Sequence, residues 1–152
     1  MSVSGPFEVE DTLEGRCLCG AVEVTVRGGG VPQVSGCHCD LCRRWSGSMF
    51  TGFDVAPENV TATGEVARFA SSHFSERVFC PVCGTHLWFR DTDGDAPFEL
   101  SPGLFVEARD WPLDREVYAD RAAAYLPLSG DHRRVTRADY ERDNRFVDGD
   151  TP

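Results

Sequence analysis

Short segments of alternating apolar and polar residues dominate this sequence. Val22, Val24 and Val26 are separated by Glu23 and Thr25, the pattern of a strand with one buried face. Further apolar segments of strand length lie between turn-forming residues, at 49–53, 65–70, 74–79, 85–90, 98–100 and 116–118. Because turn signals recur about every 8–12 residues, the pattern predicts an all-β (mainly β) fold with short helical turns.

Two segments carry helix signals instead. Residues 40–46 can form a short helical turn, for which Asp40 is the predicted N-cap. Thr136, followed three residues later by Asp139, resembles the start of a second helix. The chain shows no linker or internal repeat, so we predict one domain over residues 1–152, with a core at about 13–130 and frayed termini.

Composition narrows the chemistry that this chain can carry. Its 152 residues are 41% hydrophobic and 26% charged, the balance of a globular protein with an ordinary core. The formal net charge of -10 argues against a general nucleic-acid or anionic-membrane surface. All 15 basic residues are arginine, so a lysine Schiff base and a P-loop lysine are excluded. An anion would have to be bound by arginine, histidine, backbone N–H groups or a metal ion.

The sequence carries no recognisable targeting or membrane segment. Its first 13 residues are acidic and lack the basic start and apolar run of a signal peptide. No apolar stretch approaches the roughly 18 residues that a membrane-spanning helix needs. We therefore expect a cytoplasmic protein in a reducing compartment, where neighbouring cysteines form metal or redox sites more often than disulfides.

Cysteine spacing is the strongest chemical signal in the sequence. The seven cysteines form a C-x-C pair, a C-x-C-x-x-C triplet and a C-x-x-C-G pair, namely Cys17 and Cys19; Cys37, Cys39 and Cys42; and Cys80 and Cys83. Metal ligation explains such close grouping, because a short loop must direct its thiolates at one ion. The two pairs together can supply a tetrahedral structural site. The triplet can hold a second ion and leave one coordination position open, as in catalytic zinc sites.

Other interpretations of these residues stay open at this level. The two pairs could form disulfides or a redox dithiol. The triplet could belong to a second closed structural zinc site, completed by His38, His73 or another side chain. His86 lies in an apolar segment and is expected to be a packed histidine, whereas His132 lies in a polar turn and is expected to be solvated.

Three motifs point to a known family. They are residues 15–22 (GRCLCGAV), residues 37–44 (CHCDLCRR, followed by Gly47 and Ser48) and residues 79–87 (FCPVCGTHL). In this order they resemble the motifs of the glutathione-dependent formaldehyde-activating enzymes, a family that includes centromere protein V. The resemblance covers roughly the first three fifths of the chain.

The resemblance implies a fold, a set of ligands and a reaction. The fold is a zinc-stapled β-tent of two small antiparallel sheets, with two zinc ions per chain. The paired cysteines would hold a structural zinc, and the triplet would hold the catalytic one. The reaction joins glutathione and formaldehyde into S-hydroxymethylglutathione, formally a carbon–sulfur lyase reaction in reverse. Glutathione and a small carbonyl are then the partners, with no nucleic acid and no membrane.

Side chains near the triplet are candidates for the same reaction. Arg43 and Arg44 follow its last cysteine, where either could pair with a glutathione carboxylate or screen the anionic site. His38 lies between two cysteines and could donate a hydrogen bond or carry a proton, and Ser48 could offer a hydroxyl. Two alternatives remain: a non-catalytic zinc module that binds a protein partner, and a related lyase with a different thiol or carbonyl substrate.

Overall fold

The structure is a computed structural model that describes residues 11–147. Eleven strands and two α-helices occur within these residues, which confirms the mainly β prediction. The elements are β1 (Thr12–Arg16), β2 (Glu23–Arg27), β3 (Val34–Cys37), α1 (Asp40–Ser46), β4 (Phe50–Val55), β5 (Val60–Thr63), β6 (Ala67–Ala70), β7 (Ser75–Phe79), β8 (His86–Asp91), β9 (Phe98–Leu100), β10 (Leu113–Val117), β11 (Arg133–Val135) and α2 (Arg137–Asp143). Short 3-10 turns occur at Pro57–Asn59, Pro102–Leu104, Val106–Asp110 and Ala119–Arg121. Of the termini that the sequence predicted to be frayed, residues 1–10 and 148–152 lie outside the described range, whereas β11 and α2 form beyond the predicted core of 13–130.

The strands form two sheets. Three strands in the order β1-β2-β5 make a small antiparallel sheet, and eight in the order β11-β10-β3-β4-β9-β8-β7-β6 make a larger one. β10 lies parallel to both β3 and β11, which departs from the antiparallel pairing that the family resemblance implied. Within the described residues, neither helix has the length and apolar character that a bilayer crossing requires.

The chain divides into two units, and each contains one group of cysteines. The first unit comprises the described residues up to Gln33 together with Gly52–Pro112. The second comprises Val34–Thr51 together with the described residues from Leu113 onward. Each unit is therefore assembled from segments that are distant in sequence. One domain over the whole chain stays a prediction.

Strand faces and aromatic rings build the core of the first unit. Val24 and Val26 of β2 are fully buried, as the alternating pattern predicted. The ring of Phe53 lies edge-on to Phe105 and Trp111, with centroid separations of 5.5 and 4.9 Å. The other buried members of this core are Leu13, Cys17, Val22, Val55, Val78, Cys80, Leu87, Trp88, Leu100, Leu104 and Ala108. Two of them are cysteines, so this core also anchors one side of a cysteine cluster.

Both helices belong to the second unit and begin at capped N-termini. Cys39 caps α1, because its Sγ accepts a hydrogen bond from the N–H of Cys42 at 3.4 Å. The predicted cap, Asp40, is instead the first helical residue, so that prediction was wrong by one position. α2 begins where the sequence indicated, with Thr136 Oγ1 accepting a hydrogen bond from the N–H of Asp139 at 3.2 Å. The cap of α1 thus also orients one thiol of the triplet.

Gly15 offers a test of the packing between β1 and the core of the first unit. An alanine Cβ at this position would lie 2.7 Å from the carbonyl oxygen of Leu104 and 2.8 Å from a ring carbon of Phe105. Because backbone cannot move aside as a flexible side chain can, we expect Gly15→Ala to lower the free energy of unfolding by about 1–3 kcal/mol. Gly103→Ala is the control, since its Cβ would meet nothing within 4 Å. Chemical denaturation measures both variants, and equal stabilities would contradict this packing.

Candidate metal centres

The first cysteine cluster lies in the first unit and joins residues that are far apart in sequence. The sulfur atoms of Cys17, Cys19, Cys80 and Cys83 all lie within 4.8 Å of one another. Cys17 and Cys19 have their sulfurs 3.6 Å apart, and Cys19 and Cys80 have theirs 3.8 Å apart. Four sulfurs about 2.3 Å from a zinc ion at the centre of a tetrahedron would be about 3.8 Å apart. The cluster therefore fits a tetrahedral ion of this size.

The disulfide alternative does not hold in this structure. None of the seven cysteines, all of which lie within residues 11–147, forms a disulfide. A disulfide needs sulfur atoms about 2.0 Å apart, far closer than the separations in the first cluster. The structure brings the two sequence-predicted pairs together as a group of four separate thiols.

Each pair of the first cluster lies on a tight turn that ends in a glycine, over four residues at 17–20 and over five at 80–84. In each, the glycine after the second cysteine has a left-handed backbone, with φ of 82° at Gly20 and 78° at Gly84. Its N–H donates to the carbonyl oxygen of the first cysteine of the pair, at 3.1 Å for Cys17 and 2.9 Å for Cys80. The turn folds the backbone back beneath the two sulfurs, which explains the glycine in both motifs.

Thr85 links the two turns and was not singled out from the sequence, although it lies inside the third motif. Its hydroxyl oxygen accepts a hydrogen bond from the N–H of Leu18 at 3.0 Å and donates one to Sγ of Cys83 at 3.1 Å. Hydrogen bonds from the side chain and backbone of Thr85 lower the pKa of Cys83 to about 5. This thiol is therefore ionised at neutral pH, and the thiolate is the form that binds a metal ion.

The second cysteine cluster lies in the second unit, where a strand runs directly into a helix. Cys37 ends β3, Cys39 caps α1 and Cys42 lies in the first turn of α1, and their sulfurs lie within 4.8 Å of one another. The N–H of Cys39 donates to Sγ of Cys37 at 3.5 Å, as the N–H of Cys42 does to Cys39. The strand-to-helix turn thus gathers three sulfurs around one point.

The three thiols of the second cluster disfavour one another's ionisation. Hydrogen bonding to Cys39 and Cys42, together with burial and repulsion by their thiolate charges, raises the pKa of Cys37 well above its ordinary value. A divalent cation reverses this effect, because it attracts all three thiolates at once. Thiolate sulfur is a soft ligand, and zinc is one of the ions that it selects. The donor set therefore fits zinc.

The histidines considered as fourth ligands do not belong to this group of three thiols. His73 is an exposed residue of the first unit. His38 lies between two cysteines of the triplet, but its Nε2 is 2.7 Å from Oε1 of Glu116. Among residues 11–147, the mutually close ligand atoms at the second cluster are those of the three cysteines.

Glu116 brings together two histidines of the second unit. Its carboxylate accepts hydrogen bonds from Nε2 of His38 and Nε2 of His132. The side chains of Glu116, His38 and His132 are 5%, 1% and 4% exposed, so the expectation that His132 is solvated was wrong. Burial acts to raise the pKa of Glu116, but the hydrogen bonds and charges of the two histidines outweigh it and lower that pKa. No motif marked Glu116 in the sequence.

Tyr118 follows β10 in an unusual conformation. Its φ of 56° is left-handed, which is uncommon for a residue other than glycine. Its hydroxyl donates to Oε1 of Glu141 at 3.1 Å, and its ring centroid is 5.2 Å from that of Tyr140. Burial, the bond to Glu141 and the negative charges of Glu141, Cys39 and Cys37 raise the pKa of Tyr118 above its ordinary value. The phenol of Tyr118 therefore stays protonated beside Glu141 and the thiols of the triplet.

The predicted substrate-binding residues lie at the end of α1 and just beyond it. Arg43 is half-buried and Arg44 is exposed, both in the last turn, where positive charge is favourable at a helix C-terminus. Ser48 is half-buried, and its carbonyl oxygen accepts a hydrogen bond from the hydroxyl of Ser46 at 3.2 Å. One short helix thus carries both arginines and the last cysteine of the triplet.

His86 lies in β8 of the first unit and is partly buried, as expected for a packed histidine. Burial and the charge of Arg77 lower its pKa to about 4. This histidine is therefore neutral at physiological pH, and it belongs to neither cysteine cluster of the described residues.

Comparison with known proteins identifies the class of protein to which these features belong. A family model described as "Glutathione-dependent formaldehyde-activating enzyme" matches residues 12–121, which include both cysteine clusters. The chain belongs to this family. β11 and α2 lie beyond the matched residues.

Two named relatives and one solved structure are similar to this chain. A Schizosaccharomyces pombe protein named as an uncharacterized lyase is 37% identical over 108 residues, covering 70% of this chain and 78% of its own length. A Podospora anserina protein named "Putative glutathione-dependent formaldehyde-activating enzyme" is 34% identical over 89 residues, covering 55% of this chain and 41% of its own. A crystal structure of a Rhodobacter sphaeroides protein has a TM-score of 0.53 at 17% identity, covering 66% of this chain and 99% of that one, and it supports the fold alone. The family and the first relative support a lyase-type enzyme.

Thr85 offers a test of the first cluster in the metal-loaded protein. Thr85→Val keeps the side-chain volume but removes the hydroxyl that lowers the pKa of Cys83. Because the thiolate is the form that binds a metal ion, protons should displace the ion of the first cluster more easily in the variant, so its midpoint pH for metal release on acidification should rise. Elemental analysis after dialysis at each pH counts the bound ions, with Thr85→Ser as the control that keeps the hydroxyl. An unchanged midpoint in Thr85→Val would refute the assigned hydrogen bond.

Proposed function

We propose that this protein is a zinc enzyme that joins glutathione and formaldehyde into S-hydroxymethylglutathione. In this direction the glutathione sulfur bonds to the formaldehyde carbon, and the thiol proton ends on the former carbonyl oxygen. In the other direction the same carbon–sulfur bond breaks, which is the lyase reaction. The family description names both glutathione and formaldehyde, and one relative is named as a lyase.

The second cluster carries this proposal, because it gathers three thiols and no histidine, carboxylate or further cysteine of the described residues joins them. Structural zinc sites have four protein ligands, whereas catalytic sites have three and keep a position for water or substrate. Zinc bound there would supply a position that favours the deprotonated form of a thiol. We assign the three ligands of this catalytic ion to Cys37, Cys39 and Cys42. The ligands of the structural ion are assigned to Cys17, Cys19, Cys80 and Cys83.

The side chains beside the triplet suit an anionic thiol substrate. Arg43 and Arg44 can each bind a glutathione carboxylate through two parallel hydrogen bonds, and no lysine in the chain can take that role. Ser48 follows on the same segment and is assigned a hydrogen bond to the substrate. His38 is buried against Glu116, which favours holding the loop over carrying a proton to water.

The division between catalytic and structural cysteines gives a direct test. Cys39→Ser should keep the fold and one zinc ion per chain but lose the acceleration of S-hydroxymethylglutathione formation. Cys83→Ser should unfold the protein, because a structural zinc ion contributes its binding free energy to folding. Exchange NMR of glutathione and formaldehyde measures turnover, circular dichroism measures folding, and elemental analysis counts the ions.

Each variant is the control for the other, since both replace one sulfur by oxygen. The wild-type protein should hold two zinc ions per chain, and a chelator should remove one of them first. If Cys39→Ser and Cys83→Ser behave alike in all three measurements, the division of roles is wrong. A single tightly held ion, with the thiols of the triplet accessible to an alkylating agent, would contradict the proposed enzymatic function.

A second candidate function is a non-catalytic zinc module that binds a protein partner through the first cluster. One observation favours it: Leu18 is 86% exposed and Val82 is 74% exposed, and each lies inside one cysteine pair. Apolar side chains presented by a rigid turn are typical of interaction surfaces. The double variant Leu18→Asp, Val82→Asp should keep full turnover if the enzyme proposal holds. Absence of turnover in the wild type, with self-association that this variant abolishes, would favour the second candidate.

A further inference from the structure

We propose that Glu116 is a positioning residue for the second cluster, and that the chain beyond the family match completes this site through His132. The inference rests on the function proposed above, since it takes Cys37, Cys39 and Cys42 as ligands of a metal ion. It adds a buried carboxylate that fixes the segment between two of these ligands.

Both oxygens of the Glu116 carboxylate are engaged. Oε1 accepts a hydrogen bond from Nε2 of His38 at 2.7 Å, and Oε2 accepts one from Nε2 of His132. Nε of Arg134 lies 3.6 Å from the same Oε2 and adds a positive charge. Because an ionised carboxylate only accepts hydrogen bonds, each histidine donates through Nε2. The carboxylate therefore sets the orientation of both rings.

The backbone of His38 is held by the same strand. In the parallel register of β3 and β10, Glu116 lies beside Gly36 and Val117 lies beside Cys37. The N–H of His38 donates to the carbonyl oxygen of Val117 at 3.1 Å. The residue between two cysteines of the triplet is thus fixed at two points, and the backbone that carries their sulfurs is fixed with it.

A buried charge network of this kind is a poor source of stability, because desolvation of the charges offsets much of their attraction. Its usual contribution to a metal site is orientation, since hydrogen bonds outside the ligands restrain the ligands themselves. The network around Glu116 lies against the residue between two thiols. Because the network contacts His38, its main role is to position the neighbouring cysteines rather than to stabilise the second unit as a whole.

The second histidine comes from the C-terminal segment, residues 122–147, which the family match does not include. β11 follows His132 directly and pairs in parallel with β10, which carries this histidine to Glu116. Glu141 of α2 makes a second contact of the same kind, with the hydroxyl of Tyr118. The C-terminal segment therefore supplies hydrogen-bond partners to two residues at the end of β10, next to the triplet.

Glu116→Gln tests the inference in the full-length protein. The amide keeps the shape of the side chain but replaces one acceptor oxygen by a donor, so one histidine loses its partner. Changing such an outer partner typically lowers metal affinity about 10–100-fold. We expect this loss in one of the two binding steps when the Co²⁺-loaded protein is titrated against a competing chelator and thiolate-to-cobalt absorption is followed. The other step, at the first cluster, should match the wild type.

Asp114→Asn is the matched control, because it removes a carboxylate from the same strand. Asp114 pairs with the exposed Arg133 at 2.8 Å, and its loss should leave both cobalt-binding steps unchanged. If Glu116→Gln does not fold, His132→Phe provides the same comparison, since it removes one donor to the carboxylate and leaves Glu116 in place.

The outcomes separate this inference from the proposed function. A single cobalt-binding step in the wild type overturns the proposed function, and the inference with it. Two steps in the wild type, with both unchanged in the folded carboxylate or histidine variant, overturn the inference alone. A lower melting temperature at unchanged cobalt affinity likewise assigns Glu116 a structural role and overturns the inference.

Discussion

Thiolates held a few ångströms apart repel one another, and each unit of this protein contains one cluster of neighbouring cysteines. At the first cluster, hydrogen bonds from Thr85 lower the pKa of Cys83 to about 5. Against a backbone hydrogen bond from Ala21, burial and the three neighbouring thiols raise the pKa of Cys19 to about 11. At the second cluster the repulsion is plain, because the pKa of Cys37 lies well above its ordinary value. A divalent cation bound at either cluster would attract all of its thiolates at once and so offset their mutual repulsion. An ion at the first cluster would join the two distant segments that carry its cysteines, whereas an ion at the second cluster would stabilise the single turn from β3 into α1.

Features that depend on neighbouring residues could be predicted from the sequence. The grouping of cysteines into two pairs and a triplet follows from spacings of two or three residues, which decide whether one loop can direct two sulfurs at one point. The buried face of β2 follows from strict alternation at Val22, Val24 and Val26. The cap of α2 at Thr136 follows from a signal that spans a single turn. In each case the deciding geometry lies within a few bonds of the residue.

Features that depend on the pairing of distant segments could not be predicted. Glu116 reaches His38 only because β10 lies parallel to β3, and nothing local to either segment encodes that pairing. His132 was assigned to solvent for the same reason, since its polar turn gives no sign of the buried carboxylate that it meets.

The cap of α1 was misplaced for a local reason, because a cysteine sulfur, rather than the usual aspartate, accepts the N–H bond.

The interval between these partners has a consequence for how the protein is made. His38 precedes Glu116 by 78 residues, so a ribosome releases the triplet long before the strand that restrains it. If Glu116 and His132 position the second cluster as proposed, an ion that meets the triplet of a nascent chain binds it more weakly than in the finished second unit. A chain that stops before residue 132 would therefore hold this ion less tightly than the complete second unit does.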